Sequence, residues 1–302
     1  MAIPEYDGQY TLQPNQGFDA RHIAGKSVVI TGGASGIGKE MVKEFVAAGA
    51  FVAIGDLQDS GQQLVEELGA DRAVFVKCDV TKWSDQVHLF KTAVAHSPAH
   101  LIDTVVSNAG ISGRDSLYWD DSEFDGEPLE PSLKVLQTNL VGSIYTSKLA
   151  LHYLTRHPEG EHRDRSLTLM SSIAGYCDQP GTPIYCASKH GIRGIMSSLR
   201  RTAHKKAVRV NLIAPWYIRT PAIPAENQER LTSRGVIWAE PADAAAASLH
   251  IASDAKLNGR CVTIVPRHED PRGYMDMGKD DYPEGDAGFE WQRTMMAASH
   301  RA

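Results

Sequence analysis

VVITGGASGIG, from Val28 to Gly38, decides the fold: an apolar run ends in a glycine turn, and the turn opens onto the helical spacing Met41, Val42, Phe45, Val46. Strand, turn and helix in that order form the first unit of a nucleotide-binding sheet. Gly32 suits the tight turn, Gly36 lets the backbone approach a pyrophosphate, and Gly38 permits close packing of the helix. The helix N-terminus supplies unpaired N–H groups and the positive end of a dipole. The glycine spacing differs from the usual GxGxxG fingerprint. A plain flexible loop is the competing reading, and the strand and helix on either side disfavour it.

A second apolar run, Phe51 to Ile54, closes with Gly55 and Asp56, placing a carboxylate about 20 residues beyond the turn. Asp56 can accept hydrogen bonds from an adenosine ribose, and its charge would repel a ribose 2′-phosphate. Neither Ser35 nor Leu57 offers a compensating cation, which favours NAD over NADP as cofactor.

YCASK, from Tyr185 to Lys189, carries the chemistry. Residues four apart share a helix face, so the Lys189 ammonium can lie beside the Tyr185 phenol and favour tyrosinate, bringing the phenol toward the range of a general base. Ser172, at the end of the strand-like run from Leu167, can hydrogen-bond the same substrate oxygen. An ordinary amphipathic helix is the competing reading of the five residues alone.

Taken together, TGGASGIG, SNAG (Ser107–Gly110), SSIAG (Ser171–Gly175) and YCASK resemble the short-chain dehydrogenase/reductase family over Gly25 to about Val265. The resemblance implies a catalytic set of Ser172, Tyr185 and Lys189, with Asn139 in LQTNLVG anchoring a water-linked proton relay to the lysine. It implies cofactor contacts at Gly32, Gly36, Ile37, Gly38 and Asp56, at Asp79 and Val80 beside the adenine, and at Asn108, Ala109 and Gly110 along the cleft. NLIAPWYIRT (Asn211–Thr220) resembles the segment that holds the nicotinamide amide, which implies Pro215, Ile218 and Thr220 as further neighbours. There the chain departs from the family, with Trp216 where glycine usually follows the proline. Within the family, the wording of YCASKHGI is similar to prostaglandin dehydrogenases and that of PWYIRTP to fungal polyketide alcohol dehydrogenases. Both imply NAD-dependent oxidation of a secondary alcohol on a bulky, mainly apolar molecule such as a polyketide or lipid alcohol. An NADP-dependent ketoreductase uses the same machinery in reverse and is the alternative; a dinucleotide sensor would have no use for the reactive trio.

Apolar runs near 27–31, 51–56, 73–78, 102–107, 167–171, 208–213 and 260–265 alternate with helical stretches. This predicts an α/β fold: one Rossmann-type, doubly wound parallel sheet of about seven strands with helices on both faces. Residues 1–22 read as an N-terminal extension, 23–265 as the NAD-binding and catalytic domain, and 266–302 as an irregular C-terminal extension. The last is rich in Pro, Gly and acids, yet Tyr274, Met277, Tyr282, Phe289 and Trp291 can anchor it to the core or to another subunit. The segment Thr155–Ser166 reads as a charged, solvated connection, and Pro221–Arg234 as a lid.

With 302 residues and a net charge of −6, one large domain is expected, with no basic stripe for nucleic acid. No apolar stretch is long enough to span a bilayer, and the first residues lack a signal peptide's features, so a soluble cytoplasmic protein is expected. The four cysteines read as reduced thiols, and the twelve histidines show no metal-binding spacing, so no metal is expected. The partner is then a bulky alcohol or ketone, together with further copies of the chain as a homodimer or homotetramer. Tyr176, Trp216 and Tyr217, with Tyr118, Trp119 and Trp238, are candidate walls of an aromatic substrate pocket; core packing explains each of them equally well.

Overall fold

The computed structural model describes residues 3, 6–113, 117, 127–158 and 163–298. Tyr118 and Trp119 lie outside the described residues. Eight strands form one sheet in the order β3-β2-β1-β4-β5-β6-β7-β8. They are β1 (Ser27–Thr31), β2 (Phe51–Asp56), β3 (Ala73–Lys77), β4 (Thr104–Ser107), β5 (Ser166–Met170), β6 (Arg209–Pro215), β7 (Cys261–Ile264) and β8 (Tyr274–Asp276). The first seven run parallel, and β8 pairs antiparallel with β7. Strand order reverses at β1, which is bonded to β2 on one side and β4 on the other. A crevice at the carboxyl ends of these strands follows from that reversal.

Side chains alternate across the sheet as a period of two requires. Val28 and Ile30 of β1 join the core on one face, with Val52 and Ile54 of β2; Val29 and Ala53 join the core on the other. The first face is covered by α1 (Gly36–Ala47) and by α8 (Pro241–Ser253), where Ala244, Ala245, Ala247 and Ala252 are small enough to pack closely. Leu89 and Phe90 of α3 (Trp83–His96), Leu149 and Ala150 of α5 (Gly142–Leu154), and Ile192 and Met196 of α6 (Pro183–Leu199) cover the second face. The remaining helices are α2 (Ser60–Leu68), α4 (Lys134–Leu136), α7 (Ala225–Ser233) and α9 (Ala287–Ala298).

Both extensions contribute more than an irregular wrapping. The C-terminal segment supplies β8, too short and too closely flanked by Gly273 and Gly278 for its pattern to stand out. It adds an antiparallel strand to the sheet edge, and Arg260 grips the Asp276 carboxylate through Nε and Nη2 at 2.9 and 2.7 Å. Tyr274 is buried, whereas Trp291 of α9 is 70% exposed. The N-terminal segment buries Tyr6 and Leu12, and the Tyr6 hydroxyl donates to Asp281 at 2.7 Å, so the two ends of the chain meet. Among the described residues of the 155–166 connection, Arg163 and Asp164 are half-buried and paired where a solvated segment was expected. Arg163 binds Asp103 at 2.6 Å, and Asp164 receives Arg209 at 2.8 Å and Lys26 at 3.1 Å. Burial works against the Asp164 charge, but Arg209 and Lys26 outweigh it and hold the carboxyl well below its usual range.

The glycine turn tolerates little change. A Cβ at Gly38 would press into the Gly32 carbonyl and stand 2.6 Å from Asn108 Nδ2. Gly38→Ala is therefore expected to lower stability by roughly 1–3 kcal/mol, measurable as a shift of the urea midpoint, and to weaken dinucleotide binding in the same preparation.

Candidate active site

Three strand ends and one helix build the site. Ser172 follows β5 in extended backbone, and its Oγ accepts from the Ala174 N–H at 3.2 Å, starting the short turn Ile173–Gly175. Tyr185 and Lys189 lie in the first half of α6, where Pro183 stands in the first turn. Ser172 and Lys189 both approach Tyr185: the Ser172 hydroxyl is close enough to the phenol to favour its ionised form, and Lys189 Nζ lies 5.5 Å from the Tyr185 ring centre. Ser171 locks the two elements together by donating to the Lys189 carbonyl at 2.9 Å.

The electrostatics differ from the expectation in one respect. Burial pushes the Tyr185 phenol above its ordinary value; the Ser172 hydrogen bond opposes this, while Cys186 and Tyr217 add to it. The Lys189 ammonium donates to the Met170 carbonyl at 3.2 Å and is itself pulled down to about 8 by burial. The phenol thus keeps its proton readily, and the ammonium gives one up readily.

Asn139 is fully buried in a π-helical turn, Gln137–Val141, between α4 and α5. The wider turn frees its side chain to clamp one residue of the opposite strand end. Asn139 Oδ1 accepts from Ile111 N at 2.8 Å, and Nδ2 donates to Ile111 O at 2.9 Å and to Ser188 Oγ at 3.2 Å. Gly110 stands where Asn139 and Lys189 converge: a Cβ there would lie 3.2 Å from Asn139 Oδ1 and 3.6 Å from Lys189 Nζ.

The cofactor residues expected from sequence line the crevice end of β1, β2, β4 and β6. Gly32 adopts a φ of 68° against the Ala109 backbone, and Gly36 a φ of 52° against Thr220. Asn108 Nδ2 donates to the carbonyls of Thr31 and Gly32, both at 3.0 Å, tying the β4 end to the glycine turn. The Ser35 side chain does not cap α1, which leaves the first N–H groups of that helix, from Gly36 to Gly38, open to a phosphate. These residues fit a nicotinamide dinucleotide. Asp56 has a second role, because its oxygens already accept from Ala34 N at 2.9 Å and Gln58 N at 3.0 Å, stapling the turn. A carboxylate has about four acceptor sites, so two are left for a ribose. Asp79 sits half-buried beside buried Val80, and its carboxylate accepts from Thr81. Pro215 ends β6 and Ile218 is buried.

The aromatic candidates separate. Tyr176 gives its hydroxyl to Asp280 at 2.8 Å and packs under Arg193, whose guanidinium lies 4.1 Å from the ring centre. Tyr176 is thereby tied to the C-terminal segment. Tyr217 is close enough to raise the Tyr185 phenol. It stacks edge-on with Trp216 at 5.1 Å and with Trp238 at 6.2 Å, forming an aromatic row beside the reacting phenol. Trp216 is fixed by its indole N–H to the Ile237 carbonyl at 3.0 Å.

Several residues that organise the site carry no motif of their own. Thr31 Oγ1 accepts from the N–H groups of both Asn108 and Ala109, at 3.1 and 3.2 Å. Gln86, fully buried, donates to the carbonyls of Val80 and Gly142 at 2.6 and 3.0 Å and so fixes the adenine side to α5. Among the described residues there is no cluster suited to a metal ion, no helix is long and apolar enough to cross a membrane, and all four cysteines are free thiols.

Residues 26–231 match the short chain dehydrogenase family, and the chain belongs to it. It is 36% identical over 298 residues to the 5'-hydroxyaverantin dehydrogenase of Dothistroma septosporum, covering 93% of this chain and 95% of the relative. It is 33% identical to 5'-hydroxyaverantin dehydrogenase stcG of Emericella nidulans, covering 92% and 94%. An NADP-dependent dehydrogenase, M3, of a Phoma species is 30% identical, covering 83% and 78%.

Lys189 makes a testable contribution to stability. With its proton affinity lowered to about 8 from 10.5, the native chain binds fewer protons than the unfolded one between those values. Stability from this group therefore rises with pH across that window. Lys189→Met should be more stable than the parent near neutral pH, by up to about 3 kcal/mol, with the difference narrowing above pH ~8; denaturant midpoints across that range check it.

Proposed function

We propose that this protein oxidises a secondary alcohol to a ketone, or reduces the ketone, on a bulky and largely aromatic molecule such as a polyketide, with a nicotinamide dinucleotide taking or giving the hydride. The observation that carries this reading is the approach of Ser172 and of the buried Lys189, 5.5 Å from the ring centre, to the Tyr185 phenol. In the oxidative direction the substrate hydroxyl stands between Ser172 and Tyr185, Ser172 orients it, and Tyr185 accepts its proton. For this the phenol must first be ionised, which burial opposes; in the ketone-reducing direction the protonated phenol gives its proton to the forming alkoxide oxygen, and the easily released proton of Lys189 replaces it. Gly32, Gly36, Gly38 and the α1 N-terminus would hold the pyrophosphate, with Asp56 at the adenosine ribose. Pro215, Ile218 and Thr220 would lie along the nicotinamide.

Two cofactor readings have separate support. Asp56 at the end of β2 favours NAD through charge. The relative named as NADP-dependent favours NADP. Titration of each reduced dinucleotide by fluorescence decides between them: a clear preference for NADPH sets the Asp56 reading aside.

The aromatic row supports a flat substrate, and the relatives named for 5'-hydroxyaverantin fit that class. Exposed Leu133 and Ile144, on the α4–α5 stretch, suit self-association of the chain.

Tyr185→Phe is expected to leave dinucleotide binding nearly intact while lowering turnover by about 10² or more, since proton transfer contributes about 10²–10⁴. Unchanged turnover of naphthylethanol or a related aromatic alcohol would remove the assignment. Tyr217→Ala should raise KM for such alcohols several-fold more than for a small aliphatic alcohol, as steady-state rates on the two classes will show.

A further inference from the structure

Asp280 belongs to the C-terminal segment, beyond the residues that match the family. Its side chain is only 5% exposed. One oxygen accepts the Tyr176 hydroxyl at 2.8 Å, and the other accepts Arg193 Nε at 2.8 Å. Those two partners belong to the two halves of the reacting pair. Tyr176 directly follows the short turn that Ser172 begins, and Arg193 lies one helical turn beyond Lys189 on α6, on the face that also carries Tyr185.

The contact is extensive. The Arg193 guanidinium lies over the Tyr176 ring at 4.1 Å, reaches the Gly175 carbonyl at 3.5 Å and donates to the Lys279 carbonyl at 2.9 Å. Asp280 itself is held in place by the β7–β8 pairing, by Met277 N–H donating to the Cys261 carbonyl at 2.8 Å, and by Arg200 donating to its own carbonyl at 2.8 Å. A rigid edge strand thus delivers one buried carboxylate to the seam between the serine loop and the catalytic helix.

We infer that Asp280 is a positioning residue that sets the distance between Ser172 and the Tyr185–Lys189 helix by clasping Tyr176 to Arg193. The inference rests on the Ser172–Tyr185 reading of the site. On the far side of the seam the ties are Ser171 to the Lys189 carbonyl and Lys189 Nζ to the Met170 carbonyl, two hydrogen bonds to main-chain oxygens. Removing the Asp280 carboxylate leaves the Arg193 charge and the Tyr176 hydroxyl without their shared acceptor, and loop and helix are then free to drift apart. Reacting groups misplaced by about 1 Å lose on the order of 10²-fold in rate.

The test compares Asp280→Ala, Asp280→Asn and Tyr185→Phe in the full chain, with naphthylethanol as substrate and the dinucleotide that the protein prefers. Asp280→Ala is expected to lower kcat about 10- to 100-fold while dinucleotide Kd and substrate KM stay within about threefold, and Asp280→Asn, which keeps one acceptor, to recover part of kcat. Amide exchange of the dinucleotide complex supplies a readout that needs no substrate: protection should fall together at Ser172–Tyr176 and Tyr185–Lys189. Should Asp280→Ala fail to fold, Tyr176→Phe removes only one arm of the clasp; a lowered kcat with constant KM supports the clasp, and a raised KM with constant kcat makes Tyr176 a substrate contact instead. A fall in Tm with kcat and both protection patterns unchanged overturns the proposal and leaves Asp280 a structural tie. Tyr185→Phe marks the other failure, since an active Tyr185→Phe defeats the site reading itself whatever Asp280 does.

Discussion

A lysine held out of water sets the terms for this structure. Lys189 is 4% exposed, and its ammonium has one carbonyl, that of Met170, as its hydrogen-bond acceptor. Burying a charge with so little compensation is unfavourable, and the surrounding chain must hold the pocket closed against its tendency to open to water. The elements that do so are the ones that also define the reacting geometry. Ser171 anchors the lysine's own carbonyl, Gly175 presses against its backbone, and Gly110 leaves the room a larger residue would fill. A site of this kind holds a proton loosely on nitrogen and tightly on the phenol, an order that favours transfer from the ammonium to an ionised phenol.

The π turn at Gln137–Val141 belongs to the same economy of space. A regular helix would present the Asn139 side chain to one neighbouring turn, and the extra residue of the wider turn aims it at the Ile111 backbone. Gln86 then ties the first turn of α5 to Val80, so displacement of the asparagine would have to move the adenine side of the crevice as well. The Asp79–Val80 corner and the Ile111 backbone are joined to the α4–α5 stretch through the buried amides of Gln86 and Asn139.

Much of this was legible in the sequence because strand, turn and helix periods are local. The seven parallel strands fall on the seven apolar runs, and the glycines of the turn need their small size for reasons visible in their neighbours. The nearness of Tyr185 and Lys189 was legible because four-residue spacing on a helix fixes a shared face. What was not legible depends on contacts between distant segments. The three-residue β8 is a strand because β7 offers an open edge, and nothing in Tyr274–Asp276 alone says so. Tyr176 follows SSIAG and looked like a pocket wall, but its direction is set by Asp280, more than a hundred positions later. Spacing likewise gives the nearness of Lys189 to Tyr185, while the burial that raises the phenol depends on the packing of distant segments.

The segment after β6 shows how the departure at Trp216 is accommodated. An indole in place of glycine cannot be tucked under the backbone, so it turns outward to the Ile237 carbonyl and draws the stretch before α8 against β6. The bridge between Ile218 and Ala239 and the hydrogen bond from Trp238 to Thr232 extend that contact, giving α7 a fixed base at its far end. At its near end Thr220 packs on Gly36, and Ser112 donates to the Ala222 carbonyl across the crevice at 3.2 Å. No residue of α7 is buried, so a well-anchored base supports a helix that little apolar area holds down. The Trp216 indole therefore fixes the aromatic row against the stretch before α8, while α7 between the two anchored ends has little buried area to hold it down.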